Sequence, residues 1–164
     1  MTDRLTCSHS STLTPATIRE FVEASQASWR VGVPLVELLA RINLVAAVLV
    51  GGGSPKAPVT GRVKPIFTMR SFRHYQTLGC IDAPERTGKQ ADYGFRHFVQ
   101  ALLVRRLLWE RMSSEQILAL MEGRSTEVTK RMLFKGIKMS ARHFVGNSGS
   151  TRLTDEGVVG IWKR

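Results

Sequence analysis

The chain has 164 residues, of which 43% are hydrophobic and 23% charged. This is a globular balance and does not suit a wholly disordered or fibrous chain. Twenty-four Lys and Arg stand against 13 Asp and Glu, a net charge of +11, so the expected partners are polyanions, nucleic acid before an acidic membrane surface. The two cysteines, Cys7 and Cys80, are too few for a disulfide-stapled scaffold. No Cys/His cluster has zinc spacing, so neither a metal nor another cofactor is expected.

Residues 1–12 read as a flexible N-terminus. Met1–Ser10 is polar with no apolar core, so no secretory leader is expected. Thr14-Pro15 opens a helix, a Thr cap followed by Pro at the first helical position. It should run to about Trp29, with Ile18, Phe21, Val22 and Ser25 as its apolar stripe. Val33-Pro34 breaks it, and Leu35–Leu49 forms a second, nearly all-apolar helix. That run contains Glu37 and Arg41 and is shorter than the ~20 apolar residues a bilayer demands. It therefore reads as a buried helix in a cytoplasmic protein with no membrane partner, and 13–50 as a helical region and candidate dimerisation surface. The Gly/Ser/Pro-rich stretch 51–60 is a linker.

Gly61–Phe67 reads as a short extended approach containing Pro65. Thr68 then caps a helix over 68–78, closed by Gly79. Asp82-Ala83-Pro84 turns the chain into a small β-hairpin with a basic tip, ending at Tyr93-Gly94. Phe95 to about Arg111 is helical, with a seam of Phe98, Ala101, Leu102, Arg105 and Leu108. Ser113 and Gln116 form a capping box for a further helix packing through Ile117, Leu118, Leu120 and Met121. Gly123 ends it. In the basic region 124–164 the expectations are a helix over 128–139 interrupted at Gly136, a turn at Asn147–Ser150 and a strand over 157–162.

Charge has a direction along the chain. Residues 1–60 carry five basic and four acidic side chains, 61–123 ten and six, and 124–164 nine and three. On the 68–78 helix, Arg70, Arg73 and His74 fall at i, i+3 and i+4 and share a face. A short helix with that face can enter a major groove. Arg86 and Lys89 at the hairpin tip can reach a flanking phosphate strand. Tyr93 and Arg96 lie at the hairpin's far end. Thr68, Ser71 and Tyr75 complete the candidate DNA-contacting set, while Tyr75 and Tyr93 taken alone read more readily as core residues. His97 reads as a structural histidine, and Cys80 as buried and inert. His9 and His143 have no partners at metal spacing. No catalytic arrangement appears: Gly51-Gly52-Gly53 lacks a following Lys-Ser/Thr, and neither HExxH nor GxSxG occurs. The chain is not expected to be an enzyme.

The segment Met69-Arg-Ser-Phe-Arg-His-Tyr-Gln-Thr-Leu-Gly-Cys-Ile81 resembles the recognition element of MerR-family transcription regulators, whose pattern is Arg-x-Leu-Arg-Tyr-Tyr followed by Gly-Leu-Leu or Gly-Leu-Ile. Asp82-Ala-Pro84, Arg86-Thr-Gly-Lys-Gln90, Tyr93-Gly-Phe-Arg-His-Phe98 and Met112-Ser-Ser-Glu-Gln-Ile-Leu-Ala-Leu120 follow in the family's order. The match spans about 61–123. His74 and Cys80 depart from it, most of the usual first helix is not apparent ahead of Thr68, where Pro65 lies instead, and the family's long dimerising helix is not apparent. The resemblance implies a mainly α, winged helix-turn-helix domain with extra N-terminal helices. It implies a sequence-specific, homodimeric regulator of double-stranded DNA, with RNA polymerase as a further partner and the nucleoid as its place. The recognition helix would be 68–78 and the wing 82–94, with Tyr75 against sugar-phosphate. Two alternatives keep the fold: an adaptor that binds an acidic protein without reading bases, and an architectural, excisionase-like protein that bends DNA.

Overall fold

The computed structural model describes residues 15–51, 66–87 and 90–137. Among them the chain is mainly helical, with six α-helices, one 3-10 turn and one two-stranded antiparallel sheet. Helix α1 (Pro15–Ser25) tightens into the 3-10 turn Gln26–Trp29. Ile18 and Val22, one turn apart, bury against the core. Phe21, expected on the same stripe, is 41% exposed, because α1 packs along a narrow line on α2.

Helix α2 (Leu35–Gly51) is apolar nearly throughout yet buries one face. Leu38, Ile42, Val45 and Ala46 turn inward, while Val36 and Leu44 stay exposed. Just before it, Val33 pairs with Tyr93, each N–H donating to the other's carbonyl at 3.0 Å. Gly32 is required beside this pair: a Cβ there would stand 2.7 Å from Asp92 Cβ.

Helix α3 (Met69–Thr77) leads through a turn to strands β1 (Glu85–Thr87) and β2 (Gln90–Asp92). Their register sets Glu85 opposite Asp92 and Arg86 opposite Ala91. Helix α4 (Phe95–Trp109) is the centre of the molecule, with α2, α5 and α6 packed on it. It is buried on almost every side, which explains a sequence that is apolar well beyond a single seam.

Helix α5 (Ser114–Met121) opens on the expected capping box. Ser113 Oγ accepts the Gln116 N–H at 3.2 Å, and Gln116 Oε1 accepts the Ser113 N–H at 2.9 Å. Ile117, Leu120 and Met121 are buried, but Leu118, expected on that face, is 37% exposed. Helix α6 (Thr126–Lys135) starts two residues ahead of the expected position, because Ser125 caps it. Gly136, at φ 85°, caps the end of this helix at Lys135, and residues 138–139 of the expected helix lie outside the described residues.

Side chains from the regions 13–50, 61–123 and 124–164, set apart in the sequence reading, meet in one core. Ile18, Leu38, Leu102, Ile117 and Leu133 all belong to it. Most of the apolar surface of α2 is spent inside the chain, so only its narrow outer strip is left for another copy. No helix among the described residues is long and apolar enough to cross a membrane. The expected flexible N-terminus, most of the 51–60 linker, the turn at 147–150 and the strand at 157–162 lie outside the described residues.

Candidate functional site

The basic helix α3 is positioned from its first residue. Thr68 Oγ1 accepts the Ser71 N–H at 3.2 Å, and Ser71 Oγ accepts the Thr68 N–H at 2.9 Å. This reciprocal cap satisfies two donors that a helix start leaves open. Thr68 and Ser71, expected among the DNA contacts, have their side chains occupied in that cap. Phe72 turns fully inward and meets Phe67 and Tyr93 edge-on, with ring centroids 5.9 and 5.7 Å apart. The opposite side presents Arg70, Arg73, His74 and Thr77, all exposed and spaced over two turns. Neither Arg70 nor Arg73 is in an ion pair among the described residues. Their charge is therefore not neutralised by a neighbouring carboxylate.

Tyr75 lies half-buried at the edge of this face. Its ring meets Phe67 at 6.0 Å and His74 at 5.3 Å, and burial pushes its hydroxyl pKa up. Gly79, with φ 78°, closes α3 in the left-handed conformation glycine permits. Cys80 follows, fully buried, its thiol pushed up by desolvation and donating toward the Ser114 carbonyl at 3.8 Å. A raised thiol pKa is the opposite of a reactive thiolate.

The turn between α3 and β1 is held from both sides. Gln76 Nε2 donates to the Asp82 carbonyl at 2.9 Å, and the Asp82 N–H donates to Gln100 Oε1 at 3.1 Å. His97 closes the lock from the first turn of α4. Its Nδ1 accepts the Gly94 N–H at 3.0 Å, which leaves Nε2 to donate to the Ala83 carbonyl at 3.0 Å. His97 is thus a saturated structural histidine, joining the end of the hairpin to its beginning. Arg96 forms an ion pair with Asp82. Expected on the DNA side, Arg96 instead ties α4 to this turn.

Tyr93 needs a correction. It is 4% exposed, packed against Phe72 and His97, with its backbone paired to Val33. It belongs to the core because the pairing with Val33 draws the end of β2 inward, away from solvent. Arg86 is exposed on β1, and Lys89 lies outside the described residues. Of the expected set, Arg70, Arg73, His74 and Arg86 are therefore exposed groups among the described residues, on two elements held by one network.

Two residues escaped the sequence reading. Asn43 accepts the Phe67 N–H at 2.7 Å and donates to the Phe67 carbonyl at 2.9 Å, bracing the approach to α3. An amide inside a largely apolar helix was the available signal. Thr77 extends the exposed face and lacked any charge to mark it. Elsewhere, a cleft of about 360 Å³ between α1 and α6 contains none of the expected site residues; Arg19, Glu23, Glu127 and Lys130 line it. In comparisons with known proteins, no family model, curated sequence or solved structure matches this chain.

Proposed function

We propose that the chain is a sequence-specific double-stranded DNA-binding transcriptional regulator of winged helix-turn-helix type, and not an enzyme. Helix α3 enters the major groove and the β1–β2 hairpin lies on the flanking backbone. The observation that carries this reading is the exposed, unneutralised face of Arg70, Arg73 and His74, joined to the Arg86-bearing hairpin through Asp82, Arg96, His97 and Gln100. The element order supports it: a helix, an extended pairing residue, two helices and a hairpin, with Val33 adding a third strand-like edge at Tyr93. In this reading α2 is the first helix of the pair, which the sequence reading did not find ahead of Thr68. Size agrees as well. A side-chain-clad helix is about 10–12 Å across and the major groove about 12 Å wide.

Arginines suit both tasks, as bidentate donors to guanine and as phosphate partners. A single module of this size reads few base pairs, so the regulator acts as a homodimer on a two-part site, with RNA polymerase as its downstream partner. The test is selection from a random duplex pool at about 150 mM salt, where electrostatic binding is screened. Enrichment of a near-palindromic site is expected. On that site, Arg70→Ala and Arg73→Ala should each cost about 1–3 kcal/mol and relax the preference at one position. Binding without enrichment would leave a purely electrostatic or architectural binder. Absence of binding would turn the same surface into a docking face for an acidic protein.

A further inference from the structure

Packing alone does not explain Arg105. It sits in α4, 4% exposed, among residues that are otherwise apolar core. Its Nε finds no acceptor, and the side chain forms no ion pair among the described residues. Burial pushes its pKa down, against a partial electrostatic offset from Tyr75. A guanidinium in that position is a cost to the fold, since an apolar side chain of similar length would fill the space with no charge to desolvate. Among the described residues its guanidinium lies over the face of Phe67, with the guanidinium carbon 4.5 Å from the ring centroid.

Phe67 is the residue immediately before the cap of α3. Asn43, from α2, binds both its N–H and its carbonyl. Phe72 and Tyr75, from α3, meet its ring edge-on. Arg105 covers the ring face from α4. Three helices thus converge on one residue at the head of the exposed basic helix. An amide bound to both polar groups of a peptide fixes where that peptide lies. A cation over a ring, in a poorly screened interior, fixes how the ring is turned.

We propose that Arg105 and Asn43 are positioning residues. By gripping Phe67 they set where α3 begins and the angle at which Arg70, Arg73 and His74 are presented. The purpose of the grip rests on the DNA-reading proposal above, but the grip itself can be measured without DNA. Base readout demands side chains held within about 0.5 Å of their productive place, so a loose helix head loses selectivity before it loses charge.

The experiment uses the full chain carrying Arg105→Met and, separately, Asn43→Ala. Amide hydrogen exchange reads the grip. Exchange at the hydrogen-bonded amides of Thr68, Ser71 and Phe72 should quicken about tenfold in both variants, with α5 and α6 unchanged. Arg105→Met should melt at or above the parent temperature. On the selected duplex against an unrelated one, the affinity ratio should fall about tenfold while affinity for the unrelated duplex stays within about twofold, because the surface phosphate contacts remain. Unchanged exchange at the head of α3 overturns the proposal, as does an unchanged affinity ratio. A melt of Arg105→Met that is about 10 °C lower also overturns it, because Arg105 would then be holding the core. If the parent chain prefers no sequence, the DNA reading falls, and the exchange result alone decides whether the grip is real.

Discussion

Asp82 is where the balance between burial and charge is most legible. Burial by itself would raise its carboxyl pKa. Hydrogen bonds from Arg96 and Gln100, with the nearby charge of Arg96, outweigh that and hold it below the ordinary carboxylate value. The ion-pair side chains are 38% and 43% exposed, so solvent screens them and the pair is worth under about 1 kcal/mol. The sign follows from linkage. A carboxyl held low in the folded chain contributes stability above its unfolded pKa and loses it as pH falls through the folded value. The window therefore lies below about pH 4. Thermal melts of Asp82→Asn and the parent from about pH 6 to about pH 3 should show the variant losing less melting temperature, since it has no carboxylate to protonate. Equal losses would mean that Asp82 contributes nothing to acid stability.

Helix α3 has nine residues, too short to persist by propensity alone. It is held by its ends and its inner side: the Thr68–Ser71 cap, the Gly79 closure and the buried Phe72. Removing the cap should act on stability in proportion to what a cap is worth. Thr68→Ala should cost about 1 kcal/mol in urea unfolding, with the denaturant slope unchanged. A neutral result would show that the tertiary contacts of Phe67 and Phe72 suffice without the cap. The hairpin has the same dependence on its surroundings. Its paired strands are three residues each, and an isolated two-stranded hairpin is marginal in water. Val33 at one edge and the His97, Gln100 and Arg96 contacts at the base supply what the hairpin lacks.

At the scale of the whole molecule, the +11 charge is the long-range term. If Arg70, Arg73 and Arg86 each neutralise one phosphate, log K should fall against log salt with a slope of about −2.7 or steeper per copy. Arg86→Ala should flatten that slope by about 0.9. Fluorescence anisotropy of a labelled duplex across a potassium chloride series measures both numbers. A slope near zero would remove phosphates from the account. Part of the basic 124–164 region is tied to the core: Thr129 and Leu133 of α6 are buried, and Arg106 donates to the Leu133 carbonyl at 2.8 Å. Charge-neutralising substitutions are therefore the cleaner probe of that region's part in binding, because truncation at Gly123 would open the core.

Local physics alone determined much of this protein. The Thr68 and Ser113 caps, the Gly79 closure, the α4 seam and the shared face of Arg70, Arg73 and His74 depend on residues within a few positions of each other, so spacing reveals them. Long-range pairing decided the rest. The bridge between Val33 and Tyr93 sends a tyrosine set among the candidate DNA contacts into the core. The Asn43 clamp joins residues 24 apart and turns an apparently separate helix into the neighbour of α3. Arg96 is diverted to Asp82, and Arg105 lies charged inside a helix that reads as a plain seam. A side chain's partner across the fold leaves no periodicity in the chain, and only packing in three dimensions reveals which polar groups are spent and which remain to meet a ligand.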